Sequence, residues 1–360
     1  MSCRGGPLRT LPLLVHPFPG EAIDSWLEAV AARHEVPFGD VLRQCGLVGL
    51  GSRRGFSGGF ISAGADVIGV ISDTTGVPAE AVERTTLPSG EGGAGPVRHP
   101  WAWRRGSRAC PLCLRTTGGR WMLAWRHNVP FVCAAHNCVL LDTCTACGRP
   151  WRLRQHQVNQ IPRMNRCANL SPGAVCGSGL MCGADLTILQ ATALADNHPT
   201  IRAQRIVDEL YAGRTVSLGV YSAAVPAVVV REDLRVLTRW MLRAADLTAL
   251  DQLLSIEDAG VLRADHPQLR LDPGRFTQRA GTYPTAIDMA IGTTLALGVL
   301  DSPSPAEAKE ALSRILAVAS PESVLRLVRG PSRRLLTDEV DAVLVGAFNR
   351  TFRGRSRRWL

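Results

Sequence analysis

The 360-residue chain has almost no lysine and, between residues 101 and 190, almost no acidic side chains. Lys309 is the only lysine, and the central segment contains just two acids, Asp142 and Asp185. The sequence has no GxxxxGK[ST] loop, and a single lysine excludes the usual phosphate-binding lysine of such loops. It also has no GxSxG or HExxH pattern. We therefore expect neither an ATPase nor a hydrolase.

Long hydrophobic runs are missing as well. No apolar stretch reaches the roughly 18 residues that a membrane-spanning helix needs. The nearest candidate, residues 286–300, is interrupted by Asp288, Thr293 and Thr294. The apolar residues 11–15 are too few and too closely flanked by proline for a signal peptide. We expect a soluble cytoplasmic protein with no membrane partner.

The positive charge is concentrated in one quarter of the chain. The formal net charge is +10, and residues 101–190 carry 11 arginines against their two acids. Nine of the eleven cysteines lie in the same segment. Coding bias alone can favour arginine over lysine, but the planar guanidinium also suits phosphate recognition. The segment is therefore both a candidate metal module and a candidate nucleic-acid surface.

Cysteine spacing predicts a first zinc site. In a cytoplasmic chain, many cysteines at short spacing indicate metal binding before disulfides. Cys110 and Cys113 form a CxxC knuckle, and Cys133 and His136 follow as a CxxH pair. Zinc favours four nitrogen or sulfur ligands in tetrahedral arrangement. These two pairs supply one complete set.

A second zinc site is predicted from the knuckle of Cys144 and Cys147. It needs two further ligands, for which Cys167 and Cys182 are the first choice and Cys176 is the substitute for Cys167. A catalytic zinc site usually has a carboxylate base close by, and no carboxylate lies beside a knuckle here in an HExxH or HxE arrangement. We expect two structural Zn²⁺ ions and no catalytic one.

Helical patterns flank this segment, and the predicted fold class is mainly α. Residues 21–34, 38–45, 65–75 and 78–84 show helical periodicity in the first part, and residues 198–211, 231–244 and 304–319 in the last. Residues 21–45 and 65–84 each have a helix, a turn and a helix, with glycine in the second turn. This is a helix-turn-helix outline, although any αα-hairpin that packs against protein has the same outline. Three parts are predicted: an N-terminal helical part (1–100), a double zinc-binding module (101–190) and a C-terminal helical domain (191–360).

Two groups of arginines are candidates for nucleic-acid contact. Arg104, Arg105 and Arg126 stand beside tryptophans, so they can form an aromatic and basic face, although tryptophans in a small zinc module also pack around the metal. The second group is the C-terminal tail, which equally fits a solvated tail or a segment that follows a phosphate backbone. Its arginines are Arg353, Arg355, Arg357 and Arg358.

The order of motifs resembles that of the TniQ family over about residues 8–190. A proline-rich lead and the run from Gly20 to Leu27 are similar to the family's G-E-S-x-x-S-W-L, with Ala22 in place of the first serine. The family's C-P-x-C-L, C-x-x-H, C-x-x-C-G and final C-G-x-x-L then follow in order. They begin at Cys110, Cys133, Cys144 and Cys182. Gly179 occupies the slot where the family often has one more knuckle, so the fourth ligand of the second site stays open.

The resemblance implies a non-catalytic transposition accessory protein that acts in target-site selection. Such proteins link target DNA, or a DNA-bound complex, to an AAA+ ATPase that regulates transposition; a transposase complex or a second copy of the chain are further partners. The alternative is a zinc-containing transcriptional regulator that binds DNA without an ATPase. A zinc-dependent nucleic-acid enzyme is the least supported class.

Overall fold

The computed structural model describes residues 11–47, 63–87, 106–127, 129–152, 158–174, 180–244, 254–264, 284–319 and 321–352. Within these ranges helices dominate, and the strands are short. The predicted mainly α class is thereby confirmed in its coarse form. Among the described residues, no helix combines the length and apolar character that a membrane crossing requires.

The chain divides into two compact units. One comprises Met1–Asn128 with Leu140–Ala191, and the other comprises Val129–Val139 with Thr192–Leu360. The three-part division at residues 100 and 190 stays a prediction.

The described part of the first unit has five α-helices, four of them at positions that periodicity predicts, and one 3-10 helix (Leu123–Arg126). Burial of their apolar stripes forms one core around Trp26, Phe38, Leu42 and Ile71, all less than 2% exposed. The helices are α1 (Ile23–Arg33), α2 (Phe38–Gln44), α3 (Ala65–Thr75), α4 (Ala79–Glu83) and α5 (Pro111–Thr116).

Helices α3 and α4 form one of the two pairs for which a helix-turn-helix outline is predicted. Gly76 ends α3 in the left-handed region, at φ 72°, where glycine has no steric penalty. Pro78 precedes α4, which has only five residues. The two helices and the glycine turn are present as expected, and their assignment as a DNA-reading motif stays a prediction.

The second unit contains a small hairpin and a set of longer helices. Strand β1 (Val132–Cys133) pairs antiparallel with β2 (Cys138–Val139). The described helices are α6 (Pro199–Tyr211), α7 (Ala227–Ala244), α8 (Ile256–Ala264), α9 (Ala286–Leu300), α10 (Pro305–Val318), α11 (Pro321–Arg329) and α12 (Asp338–Phe352). The predicted helices near 198–211, 231–244 and 304–319 are confirmed as α6, α7 and α10.

Helix α9 has apolar residues on every side and lies buried in the second unit. Its N-terminus has a capping box, in which Thr285 and Asp288 each bind the other's backbone N–H. A Cβ atom at Gly292 would lie 2.8 Å from Leu242 Cγ of α7, so the two helices pack closely there. A helix without a polar face shows no helical periodicity, which is why the sequence patterns did not predict it.

Candidate metal centres

The first predicted ligand set is gathered in the structure. The ligand atoms of Cys110, Cys113, Cys133 and His136 all lie within 4.8 Å of one another. Cys110 is the N-cap of α5, and its Sγ accepts a 3.5 Å hydrogen bond from the backbone N–H of Cys113. Pro111 begins the helix with the φ that a first helical position requires. The short helix therefore turns both thiols of the knuckle to one side.

The hairpin of β1 and β2 positions the other two donors of this set. Cys133 ends β1 and His136 lies in the turn, with 3.5 Å between Cys133 Sγ and His136 Nδ1. Asn137 follows with φ 44°, a conformation that asparagine tolerates better than most residues. Cys138 is 1% exposed, which makes it a core residue, and it is not a member of the ligand cluster.

A second cluster forms among the described cysteines, and it includes the first-choice ligands. The Sγ atoms of Cys144, Cys147, Cys167 and Cys182 lie within 4.8 Å of one another. Cys144 and Cys182 are 3.8 Å apart, and Cys147 and Cys167 are 4.0 Å apart. The cluster therefore contains Cys167. Cys176, the substitute ligand, lies outside the described residues.

Two glycines and a hairpin-like loop hold the second cluster. Gly148 follows Cys147 at φ 67°, and Gly183 follows Cys182 at φ 65°. Both turns need the left-handed region, and glycine enters it without a Cβ clash. The loop is closed by backbone hydrogen bonds from Cys167 to Ala184 and from Gly183 to Cys167, at 2.9 and 3.1 Å.

The donor sets fit a tetrahedral metal ion. With Zn–S bonds of about 2.3 Å, a tetrahedral site places its sulfurs about 3.8 Å apart, much farther than a disulfide bond. Burial raises the pKa of the Cys182 thiol, and the neighbouring Cys144 thiolate raises it further. Without a cation, four clustered thiolates would repel one another. Both clusters can thus hold a metal ion, and their four donors each match zinc chemistry.

Arginines of the same unit reach acidic side chains of α1. Arg126 and Arg152 both bind Asp24 Oδ2, and Arg152 also binds Glu28 Oε2 at 2.7 Å. These four side chains are at most 6% exposed. Arg120 binds Glu21 at 2.7 Å in the same way. Buried charges persist only when they are paired and hydrogen-bonded, so this network fastens α1 to the segments between the metal ligands.

The sequence motif from Gly20 to Leu27 has a structural role in this contact. The Ser25 hydroxyl donates to Glu21 Oε1 at 2.8 Å, and the backbone N–H of Trp121 donates to Ser25 Oγ at 2.9 Å. Burial raises the pKa of Glu21, while the charge of Arg120 and three hydrogen bonds act in the opposite direction. Trp26 is fully buried, and its indole N–H donates to the Val15 carbonyl oxygen.

The predicted nucleic-acid residues have different positions. Arg126 is 4% exposed and paired with Asp24, so it does not contribute to an exposed basic face. Trp121, Trp125 and Trp151 are also buried, and the rings of Trp121 and Trp125 meet edge to face at 5.9 Å. They pack inside the unit. The other predicted contacts lie outside the described residues: Arg104, Arg105, Arg353, Arg355, Arg357 and Arg358.

The pairing with α1 was missed in the sequence. The signal was the spacing of Asp24 and Glu28, which lie one helical turn apart on α1, with Glu21 just before the helix. An acid in the first turn of a helix is also explained by the helix dipole, so these acids alone do not indicate a buried pairing.

Comparison with known families gives a match over part of the chain. Residues 12–140, 129 of the 360 residues, match the model of the TniQ family and are similar to it. The match confirms the family that the motif order predicts, and it associates the chain with transposition. The TniQ match includes all four donors of the first cluster and ends before Cys144, the first donor of the second. No curated protein matches the chain.

Proposed function

We propose that the chain is a non-catalytic accessory protein of a transposition system. It binds target DNA, or a complex already bound to DNA, and links that site to an AAA+ ATPase that regulates transposition. The observation that carries the proposal is the TniQ match over residues 12–140. Such a protein acts in the cytoplasm and associates with the nucleoid when it is bound.

The metal ions in this proposal are two structural zinc ions. Each cluster supplies four protein donors, whereas a catalytic zinc ion usually has three and keeps one position for water. Zinc would hold the loops that present Arg120, Arg126 and Arg152 to α1. Its role is therefore structural, and it fixes the loops that carry these arginines.

DNA contact in this proposal depends on arginines that are exposed. Arg115 and Arg163 are exposed and Arg149 is partly exposed, whereas Arg108, Arg126 and Arg152 are buried. Arg104, Arg105 and the four tail arginines named above remain candidates by sequence. The helix-turn-helix alternative places base contacts on α4 through Glu80, Glu83 and Arg84, all exposed.

The experiment is a pull-down of a co-encoded AAA+ ATPase by the full-length, zinc-loaded chain, with and without duplex DNA. We expect capture of the ATPase that increases when DNA is present. DNA binding without ATPase capture would favour a transcriptional regulator instead. The affinity for DNA should fall steeply as the salt concentration rises. In a plot of the logarithm of the binding constant against the logarithm of the salt concentration, each neutralised phosphate should make the slope more negative by about 0.9.

A further inference from the structure

The hairpin with two donors of the first cluster is held by a segment far along the chain. Both the backbone N–H groups of Phe131 and Val132 donate to one atom, Gln204 Oε1 on α6, at 2.8 and 3.1 Å. Gln204 is 1% exposed. One amide oxygen has two lone pairs, so a single side chain satisfies both N–H groups next to Cys133.

The other side of the hairpin is bound by the residues that lead into α6. The Val139 N–H donates to the Thr192 carbonyl at 2.9 Å, and the Leu194 N–H donates to the Asn137 carbonyl at 2.7 Å. Asn137 Nδ2 also donates to Asp196 at 2.7 Å. The backbone on both sides of Cys133 and His136 is thus fixed by residues 192–204.

We propose that Gln204 is a positioning residue of the first metal centre, although it lies 64 positions beyond the end of the TniQ match. It contacts no metal donor atom itself and acts through the backbone of β1. This inference rests on the proposed metal ion at the first cluster. It assigns to residues 192–208 a metal-retaining role that the ligand motifs alone do not indicate.

A glutamine meets the chemical requirements of this position. Its oxygen accepts from the two strand N–H groups, and its Nε2 donates to Asp208 Oδ1 one turn later at 2.9 Å. A leucine of similar size would leave both N–H groups buried without an acceptor, which is costly. A Gln204→Glu, Asp208→Asn pair would exchange donor and acceptor between the two positions and keep the oxygen that β1 needs.

The test measures zinc release from the full-length protein to a competing chelator. Groups that orient metal ligands usually contribute about 10- to 100-fold to metal affinity, so we expect Gln204→Leu to weaken one of the two ions by this factor and to release it correspondingly faster. The other ion should leave at the wild-type rate. The exchanged pair should release both ions at near wild-type rates. Gln44→Leu, on the exposed surface of α2, is the matched control and should leave both rates unchanged.

A Cys110→Ser background assigns the affected ion. Cys110→Ser should retain only the second ion, and adding Gln204→Leu there should leave the release rate of that ion unchanged.

Two results with folded Gln204→Leu would overturn the inference. One is release of both ions at the wild-type rate, and the other is faster release of the second ion. If Gln204→Leu does not fold, fast release from the folded exchanged pair would overturn it, and wild-type release would support it. A wild-type protein with less than one zinc would instead refute the proposed metal centres.

Discussion

The backbone N–H of Trp121 donates to the hydroxyl of Ser25, a residue 96 positions earlier in the chain. The same hydroxyl donates to Glu21, which binds Arg120. A motif near the N-terminus therefore acts as an attachment point for the cysteine-rich part of the first unit. The residues that hold the cysteine-rich part in place therefore lie far in the sequence from the ligand motifs themselves.

Ser25→Ala tests this attachment. The change leaves the buried N–H of Trp121 without its acceptor, and we expect the free energy of unfolding to fall by about 1–3 kcal/mol. Urea unfolding of the zinc-loaded protein measures the loss. Ser222→Ala, at an exposed position in the second unit, is the control and should change stability by less than about 0.5 kcal/mol.

Buried and exposed arginines should behave differently. Arg126→Ala leaves buried Asp24 with Arg152 as its remaining partner and should destabilise the protein by about 1–3 kcal/mol. Arg163→Ala, at an exposed position, should leave stability nearly unchanged and act, if at all, on DNA affinity. Thermal unfolding and a DNA-binding isotherm for each variant separate the two effects. Wild-type stability for Arg126→Ala would contradict the buried network.

The number of zinc ions bound per chain should depend on how many of the two clusters are intact. We expect two zinc ions per folded chain, and one ion after either Cys113→Ser or Cys147→Ser, by elemental analysis of purified protein. Both ions should remain after Cys45→Ala, because Cys45 is buried in the core and burial raises its pKa to about 12, which keeps it a thiol. Chelation without loss of helical signal would argue against a folding role for the metal.

Asp233→Asn should change how stability depends on pH. Asp233 accepts hydrogen bonds from Tyr221 and from the backbone and hydroxyl of Thr337, at 2.8–2.9 Å. Burial raises its pKa above the usual value of 3.8, despite these hydrogen bonds. The stability linked to the protonated carboxyl is therefore present below pH 3.8 and is lost as pH rises through the folded-state pKa.

The quantity to compare is the difference in the free energy of unfolding between Asp233→Asn and the wild type. Asparagine keeps the network because both hydroxyls can accept as well as donate, and it has no charge to bury. We expect the variant to gain stability relative to wild type as the pH rises from about 4 towards 7. Urea unfolding at several pH values measures this difference. Loss of metal at acid pH cancels from it, because the variant and the wild type have the same metal ligands. A constant difference would contradict the prediction.

Local patterns and long-range contacts differ in how well the sequence predicts them. The stripe of Ile23, Trp26 and Val30 and the breaks at proline and glycine determine α1 to α4 locally, so their bounds were predictable to within about two residues. The CxxC and CxxH spacings likewise identify six of eight donors. Helix α9 was not predicted because it has no polar face to reveal a period.

The remaining site features depend on tertiary structure. Cys167 and Cys176 both follow loop-like sequence, and only the pairing of Arg166 with Asp185 and Leu170 with Met181 brings Cys167 beside Cys147. The hydrogen bonds of Gln204 to the hairpin cross more than 70 positions. Neither contact leaves a periodic trace in the sequence. The sequence favours Cys167 over Cys176 as a ligand without showing the contact, and nothing in its spacing indicates Gln204.

The ion pair between Glu28 and Arg152 also has a consequence for the order of folding. The two residues are 124 positions apart. At about 5–20 residues per second, a ribosome needs roughly 6–25 seconds to add that stretch of chain. Helix α1 leaves the ribosome first, and its carboxylates stay hydrated until the cysteine-rich loops follow. In the two-zinc protein proposed above, we expect zinc supply during synthesis to affect when this helix reaches its final place.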